Sequence, residues 1–273
     1  MKWWPQLRGF LRATFHLGLI VLPGWWALHT ASTVQRTIAV LLILSGIALL
    51  VRAAFIYLPG FDPFFRVPWH GPWRGRRMAI TFDDGPNGAA TEAVLELFRR
   101  YGGKATFFMV GQSVDAQPEL ARRVAAEGHA VGSHTYTHQK LSRCSHAHAV
   151  EEVERGHAAL IAAGVPDQRL FRAPHGLKTF ALNRHLDRMG LRMIAWTAGV
   201  YDPDCPSGDV IADRAMRWLR PGTILLLHDG KMGCDRRPLL HALERILITC
   251  RERGLEVVTI PELLNYKTEA ASS

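Results

Sequence analysis

The 273-residue sequence predicts an α/β domain, a parallel sheet wrapped by helices into a barrel or near-barrel, behind an N-terminal membrane segment. Three observations carry this expectation. From Met78 onward, short runs rich in Ile, Val and Phe alternate with longer stretches of helical period. Those runs are apolar without alternation, as strands buried on both faces are. Thr37 to Leu58 holds 22 residues with Arg52 as the only charge.

The first element is that apolar stretch, TIAVLLILSGIALLVRAAFIYL, long enough to cross the hydrocarbon, with Arg52 near enough to one end to reach the headgroups. Phe10 to Leu28 is also mostly apolar, but Arg12, His16 and Pro23 interrupt it, which suits either a second span or an interfacial helix. Both stretches are too long for a signal peptide, and no small-residue cleavage pattern follows. Lys2, Arg8 and Arg12 precede the first stretch, Arg36 alone lies between them, and Arg66, Arg74, Arg76 and Arg77 follow the second. By the positive-inside rule this bias favours a helical hairpin in a bacterial-type inner membrane, with the following domain on the cytoplasmic side. A single span entering from the cytoplasm would put that domain outside. Pro59 to Arg77, with four prolines and Phe64, Phe65, Trp69 and Trp73, reads as a linker lying along the bilayer surface.

The strands predicted next are Met78–Phe82, Thr106–Val110, Ala130–Ser133, Leu170–Ala173, Met193–Thr197, Thr223–Leu227 and Glu256–Ile260. Helices are predicted between them at Ala89–Arg100, Pro118–Glu127, Ala147–Ala162, Phe180–Met189, Val210–Leu219 and Pro238–Arg253. The expected organisation is an anchor over 1–58, a linker over 59–77, a folded domain over 78–264 and a polar tail over 265–273. Lys and Arg outnumber Asp and Glu by 9 to 1 in residues 1–77 but by only 24 to 23 in residues 78–273. The folded part therefore lacks the basic face that nucleic-acid binding needs. Cys144, Cys205, Cys234 and Cys250 show no paired spacing and read as ordinary thiols, compatible with a reducing compartment.

In a barrel of this kind the loops after the strands build the site. The first strand ends in Thr81-Phe82-Asp83-Asp84-Gly85-Pro86, whose adjacent carboxylates repel unless a cation neutralises one of them. The third runs into His134-Thr135-Tyr136-Thr137-His138, two imidazoles able to converge on one ion. Asp84, His134 and His138 would supply three ligands for Zn²⁺, or for another divalent ion such as Co²⁺ or Mn²⁺, and leave a position open for water. Asp83 is then the nearest base for that water, and His228 of Leu225-Leu226-Leu227-His228-Asp229 can offer an acid. Arg172, at the end of the fourth strand, can hold Asp83 ionised. Trp196 is either a wall for a sugar ring or a core residue.

The ordered set TFDDGP, HTYTH, RAPHG, a strand-end tryptophan and LLHD resembles the NodB-type polysaccharide deacetylases, carbohydrate esterase family 4, over about Met78 to Leu264. The resemblance implies a distorted (β/α)7 barrel and metal-dependent hydrolysis of N-acyl groups on amino sugars. It implies Asp83 as base, His228 as acid, Arg172 as the residue orienting the base, and Asp84, His134 and His138 as metal ligands. It also implies the backbone N–H of His175 as an oxyanion donor. Two departures stand out: His175 replaces the usual aromatic, and the family's Asp-x-x-Asp-Trp motif is missing after Trp196. Asp202 and Asp204 are both left as possible partners of His228. With the membrane anchor, the expected substrate is an acylated amino sugar of a cell-envelope or lipid-linked glycan; a polyprenyl-linked formamido sugar and a catalytically silent sugar-binding module are the other readings.

Overall fold

The computed structural model describes residues 32–57, 67–176, 179–230 and 235–265. The chain divides into two units, Met1–Arg66 with Gly176–Lys178, and Val67–His175 with Thr179–Ser273. In the first, α1 (Thr33–Tyr57) is a 25-residue helix whose Thr33–Ala54 stretch is long and apolar enough to cross a membrane. Val34, Leu41, Leu44 and Leu49 along it are exposed. The expected second span at Phe10–Leu28 and the tail beyond Asn265 lie outside the described residues.

The second unit is a curled, all-parallel sheet with helices on its outer face. In chain order it runs β1 (Arg77–Asp83), α2 (Gly88–Tyr101), β2 (Thr106–Met109), α3 (Gly111–Ala116), α4 (Pro118–Ala126), β3 (Ala130–Ser133), α5 (His146–Ala162) and β4 (Leu170–Phe171). Then follow α6 (Phe180–Met189), β5 (Arg192–Met193), β6 (Ala198–Gly199), α7 (Gly208–Met216), β7 (Ile224–His228), α8 (Arg237–Glu252), β8 (Glu256–Val257) and α9 (Ile260–Leu263). The strand order is β5-β4-β3-β2-β1-β7-β6, with β8 pairing the start of β1. The distorted (β/α) barrel is thus present as a curled half-barrel sheet, with β5 and β6 at its two ends.

Both faces of the strands are buried, for the reason the unbroken apolar runs suggested. Ile80 and Phe82 of β1 face the helices together with Phe107, Leu225 and Leu227, and the Phe82 and Phe107 rings stack at 5.0 Å. The intervening Ala79 joins Phe108, Leu170, Ile194 and Ile224 inside the barrel. Truncating one of the fully buried phenylalanines to Ala would cost about 3–5 kcal/mol. The helices start where the local chemistry stops a strand. Ser145, Thr179 and Ser207 each accept a backbone N–H in the first turn of α5, α6 and α7, and Gly190 ends α6 in the left-handed conformation.

Three expectations need correction. The predicted strand Met193–Thr197 is interrupted: β5 stops at Met193, and the chain crosses the open side of the barrel before β6. There Ala195 N donates to Pro68 O at 2.8 Å and the Thr197 hydroxyl to Trp69 O at 2.7 Å. Residues from Val67 on therefore pack into the barrel's gap and belong to the same compact unit as the sheet. The predicted strand Glu256–Ile260 ends at Val257, because Thr259 and Glu262 form a reciprocal capping box that starts α9. Cys205 is disulfide-bonded, whereas Cys144 and Cys250 are free. Spacing along the chain could not show this, because Cys205 closes a tight left-handed turn whose neighbours come from elsewhere in sequence.

Candidate active site

Strand register brings the polar strand ends to one level. Asp83 lies opposite His228 across β1 and β7, and Ser133 lies opposite both Met109 and Phe171, so His134 and Arg172 follow at the same rim. Side chains alternate along β1, which sends Thr81 and Asp83 inward beneath that rim.

Arg172 is the largest fully buried side chain in the structure. Its Nη1 donates to Asp83 Oδ1 at 2.8 Å and to Thr81 Oγ1 at 2.7 Å, and its Nη2 and Nε donate to the carbonyls of Ala195 and Ile194. The guanidinium sits 4.1 Å above the Phe108 ring and 5.7 Å from that of Trp196. Burial lowers its basicity, but an arginine stays charged, so Asp83 is held as an oriented carboxylate. Trp196 is half-buried and packs against the interior apolar cluster beside the arginine.

Asp84 follows in the left-handed region, at φ 73°, which turns its carboxylate toward the histidines. Asp84 Oδ1 lies 3.0 Å from His138 Nε2 and 3.5 Å from His134 Nε2. His134 Nδ1 donates to the Arg172 carbonyl at 2.8 Å, so its Nε2 lone pair is free, and burial keeps the imidazole neutral. Burial opposes the charge of Asp84, but the hydrogen bond with His138 and the neighbouring imidazoles hold its carboxyl well below the usual carboxylate range.

The His134–His138 loop is fixed from behind by α5. Glu152, buried, accepts from Thr137 N at 2.8 Å and from its hydroxyl at 2.9 Å, and His138 N donates to Thr135 Oγ1. Gly156 lets the helix approach this loop: a Cβ there would stand 2.5 Å from the Thr135 carbonyl carbon.

A metal suits these residues. The three ligand atoms lie within 4.8 Å of one another, with Asp84 Oδ1 facing both Nε2 atoms. One carboxylate oxygen with two imidazole nitrogens is a donor set for Zn²⁺ or a neighbouring divalent ion.

On the opposite side, His228 Nδ1 donates to Asp202 Oδ1 at 3.1 Å, and its backbone N–H donates to Asp202 Oδ2 at 3.0 Å. Asp204, the other sequence candidate, is exposed. Burial alone would lower the His228 pKa, but the charge and hydrogen bond of Asp202, with Asp83 and Asp84 beyond, push it up to about 9. His228 is therefore an imidazolium at neutral pH.

Sequence reasoning passed over two buried residues here. Arg236 donates to the His228 carbonyl at 3.1 Å and stands 3.5 Å from Asp202 Oδ2. Asp229 accepts from the Thr91 hydroxyl and lies under the Asp83–Pro86 turn, where a Cβ on Gly85 would meet its carboxylate at 2.6 Å. Burial pushes its pKa up to about 7. The LLHD run gave a signal for Asp229; nothing in the sequence tied Arg236 to His228. His175 is exposed at φ 58°, its ring 5.1 Å from that of His138.

A family model described as polysaccharide deacetylase matches residues 70–194. A chitooligosaccharide deacetylase of Bradyrhizobium sp. (strain ANU 289) is 36% identical over 217 residues, covering 74% of this chain and 98% of that protein. A peptidoglycan-N-acetylglucosamine deacetylase of Bacillus cereus is 35% identical over 208 residues, covering 76% and 96%. The crystal structure of a peptidoglycan N-acetylglucosamine deacetylase in complex with 4-naphthalen-1-yl-N-oxidanyl-benzamide superposes with a TM-score of 0.72 at 25% identity, covering 75% of this chain and 95% of that one.

Proposed function

Because the chain belongs to the polysaccharide deacetylase family, we propose that it hydrolyses the N-acetyl group of N-acetylglucosamine residues in a cell-envelope glycan, held at a membrane by its N-terminal helix. One observation carries the reading: Asp84, His134 and His138 converge on a point flanked by the Arg172-bound Asp83 and the Asp202-bound His228.

A divalent ion on Asp84, His134 and His138, Zn²⁺ by the donor set, would polarise the substrate carbonyl and its attacking water. Asp83, kept ionised by Arg172, takes the proton from that water as oxygen adds to the carbonyl carbon. The carbonyl oxygen gains negative charge, for which the His175 backbone N–H is the proposed donor. His228 enters as imidazolium and gives its proton to the sugar nitrogen as the carbon–nitrogen bond breaks. Free amine and acetic acid leave, the acid ionises in solvent, and the proton held on Asp83 is lost as His228 regains one, which restores both groups. The two proton carriers start in the opposite states this sequence needs, the acid as imidazolium near pKa 9 and the base as a paired carboxylate.

The disulfide at Cys205 favours an oxidising, extracytoplasmic site for the domain, opposite to the side suggested by loop charge. That is also where a wall glycan would be met. The test is acetate release from chitooligosaccharides and from peptidoglycan by metal-stripped full-length protein, before and after addition of Zn²⁺, Co²⁺ or Mn²⁺. Release restored by metal, and lost in Asp83→Asn while metal still binds, is the expected result. Metal binding without release from either glycan would overturn the assignment.

A further inference from the structure

At the end of the sheet remote from the ligand cluster lie exposed aromatic and basic side chains that the proposed chemistry does not use. The chain enters the folded unit here. Gly71 N donates to Gly222 O, and Gly222 N to Arg77 O, which fixes the entry segment at the amino ends of β1 and β7. Trp73 is 43% exposed. His70 stacks on it at 4.5 Å between centroids, and Trp69 meets both rings edge-on. The Arg220 guanidinium lies 5.0 Å from the Trp73 ring and 5.2 Å from that of Trp218, holding the two indoles as one patch. Arg74, Arg76, Arg217 and Arg253 surround it, all exposed, and of these Arg76 is braced on the Gly254 carbonyl at 2.8 Å.

We propose that this face is the domain's contact with an anionic bilayer, with Trp73 and Trp218 at headgroup level and the arginines against lipid phosphates. Tryptophan with arginine is the pairing that membrane–water interfaces select, because an indole is apolar with one polar edge and a guanidinium binds phosphate bidentately. Charge complementarity points the same way, since Arg74, Arg76, Arg217, Arg220 and Arg253 outnumber the exposed carboxylates at this end, of which Glu256 is paired with Arg77. The sequence immediately upstream supplies the apolar helix Thr33–Ala54, so lipid is the surface nearest along the chain.

The placement has a consequence for substrate, which rests on the deacetylase reading. The seven residues of β1, Arg77 to Asp83, span roughly 20 Å at about 3.3 Å each. With the amino end on lipid, the ligand cluster opens away from the bilayer. A glycan polymer standing off the membrane reaches it; a sugar held at headgroup level does not.

The test reads depth and is independent of catalysis. Full-length protein is placed in nanodiscs of phosphatidylglycerol and phosphatidylcholine, with a nitroxide either on Arg74→Cys in a Cys144→Ser background or on native Cys144 in the loop beyond His138. Collision rates with oxygen and with an aqueous nickel chelate are then compared. A label at 74 shielded from nickel yet reached by oxygen, beside an aqueous label at 144, is the expected result. Arg76→Glu with Arg220→Glu, phosphatidylcholine alone, or salt of about 0.5 M should abolish the shielding. Unchanged Zn²⁺ binding by the charge-reversed protein reports that it is folded. A label at 74 that stays aqueous, lipid contact at 144 instead, or shielding at 74 from both relaxants, as in a contact between two copies, would overturn the proposal.

Discussion

Replacing Asp202 by Asn should move the alkaline limb of the pH–rate profile by more than two pH units. In the parent, His228 titrates near 9 against an ordinary 6.5, and at about 1.4 kcal/mol per pH unit that difference amounts to roughly 3 kcal/mol favouring the imidazolium. Burial of His228 acts in the opposite direction, so the carboxylates together supply more than that, Asp202 first and Asp83 and Asp84 after it. Asparagine keeps the shape and removes the charge, and its single amide oxygen can accept only one of the two N–H groups that Asp202 holds. Burial then prevails, the imidazole titrates below 6.5, and at pH 7 the site holds a neutral ring with no proton for the leaving amine. Loss of a general acid of this kind costs roughly 10²- to 10⁴-fold. The assay is acetate release from a chitooligosaccharide between pH 5.5 and 10, with parent and variant both metal-loaded so that the ion offsets Asp83 and Asp84 equally. Stability carries the same signature with a definite sign. A raised folded pKa stabilises the parent fully below 6.5 and ceases to do so as pH rises through about 9, and Asp202→Asn should lose that dependence. An unmoved alkaline limb, or one displaced by Asp204→Asn instead, would refute the argument.

Three further outcomes are expected. Gly156→Ala should push the Thr135 carbonyl and weaken Zn²⁺ binding about tenfold or more by calorimetry, because the His134–His138 loop loses its backing; unchanged affinity would show that the loop relocates freely. Arg172→Ala leaves Asp83 buried and unpaired and should lower unfolding free energy by about 3–5 kcal/mol in urea titration, with activity lost; a shift under 1 kcal/mol would contradict the buried pair. Thiol titration of unreduced, denatured protein should find fewer than four reactive cysteines, rising to four after reduction; four before reduction would remove the disulfide and the argument from it for an extracytoplasmic site.

Much of this arrangement could be read from the residues because the chemistry sits at strand ends. Met78–Phe82, Ala130–Ser133 and Thr223–Leu227 are unbroken apolar runs, and each is followed directly by the polar group that the register raises to the rim. The interrupted strand around Trp196 is not legible, because its hydrogen bonds go to Pro68 and Trp69, in a proline- and aromatic-rich stretch that reads as a linker. The choice between Asp202 and Asp204 was similarly hidden. Both lie in one 3₁₀ turn flanked by left-handed Tyr201 and Cys205, and only that turn's geometry decides which carboxylate faces His228. Arg236 approaches from a segment beyond β7, a proximity that motif spacing does not encode.

Ala195 is the hinge pin of one chain of contacts: its N–H is held by Pro68, and its carbonyl accepts from the buried Arg172, which in turn grips Asp83. A tension applied at the amino-terminal end of the polypeptide would thus be delivered, through three consecutive hydrogen bonds, to the carboxylate assigned as base. The entry segment serves as a tie-rod for the site. An enzyme released by cleavage after Trp69 would keep every side chain of its rim and lose the brace that sets their alignment.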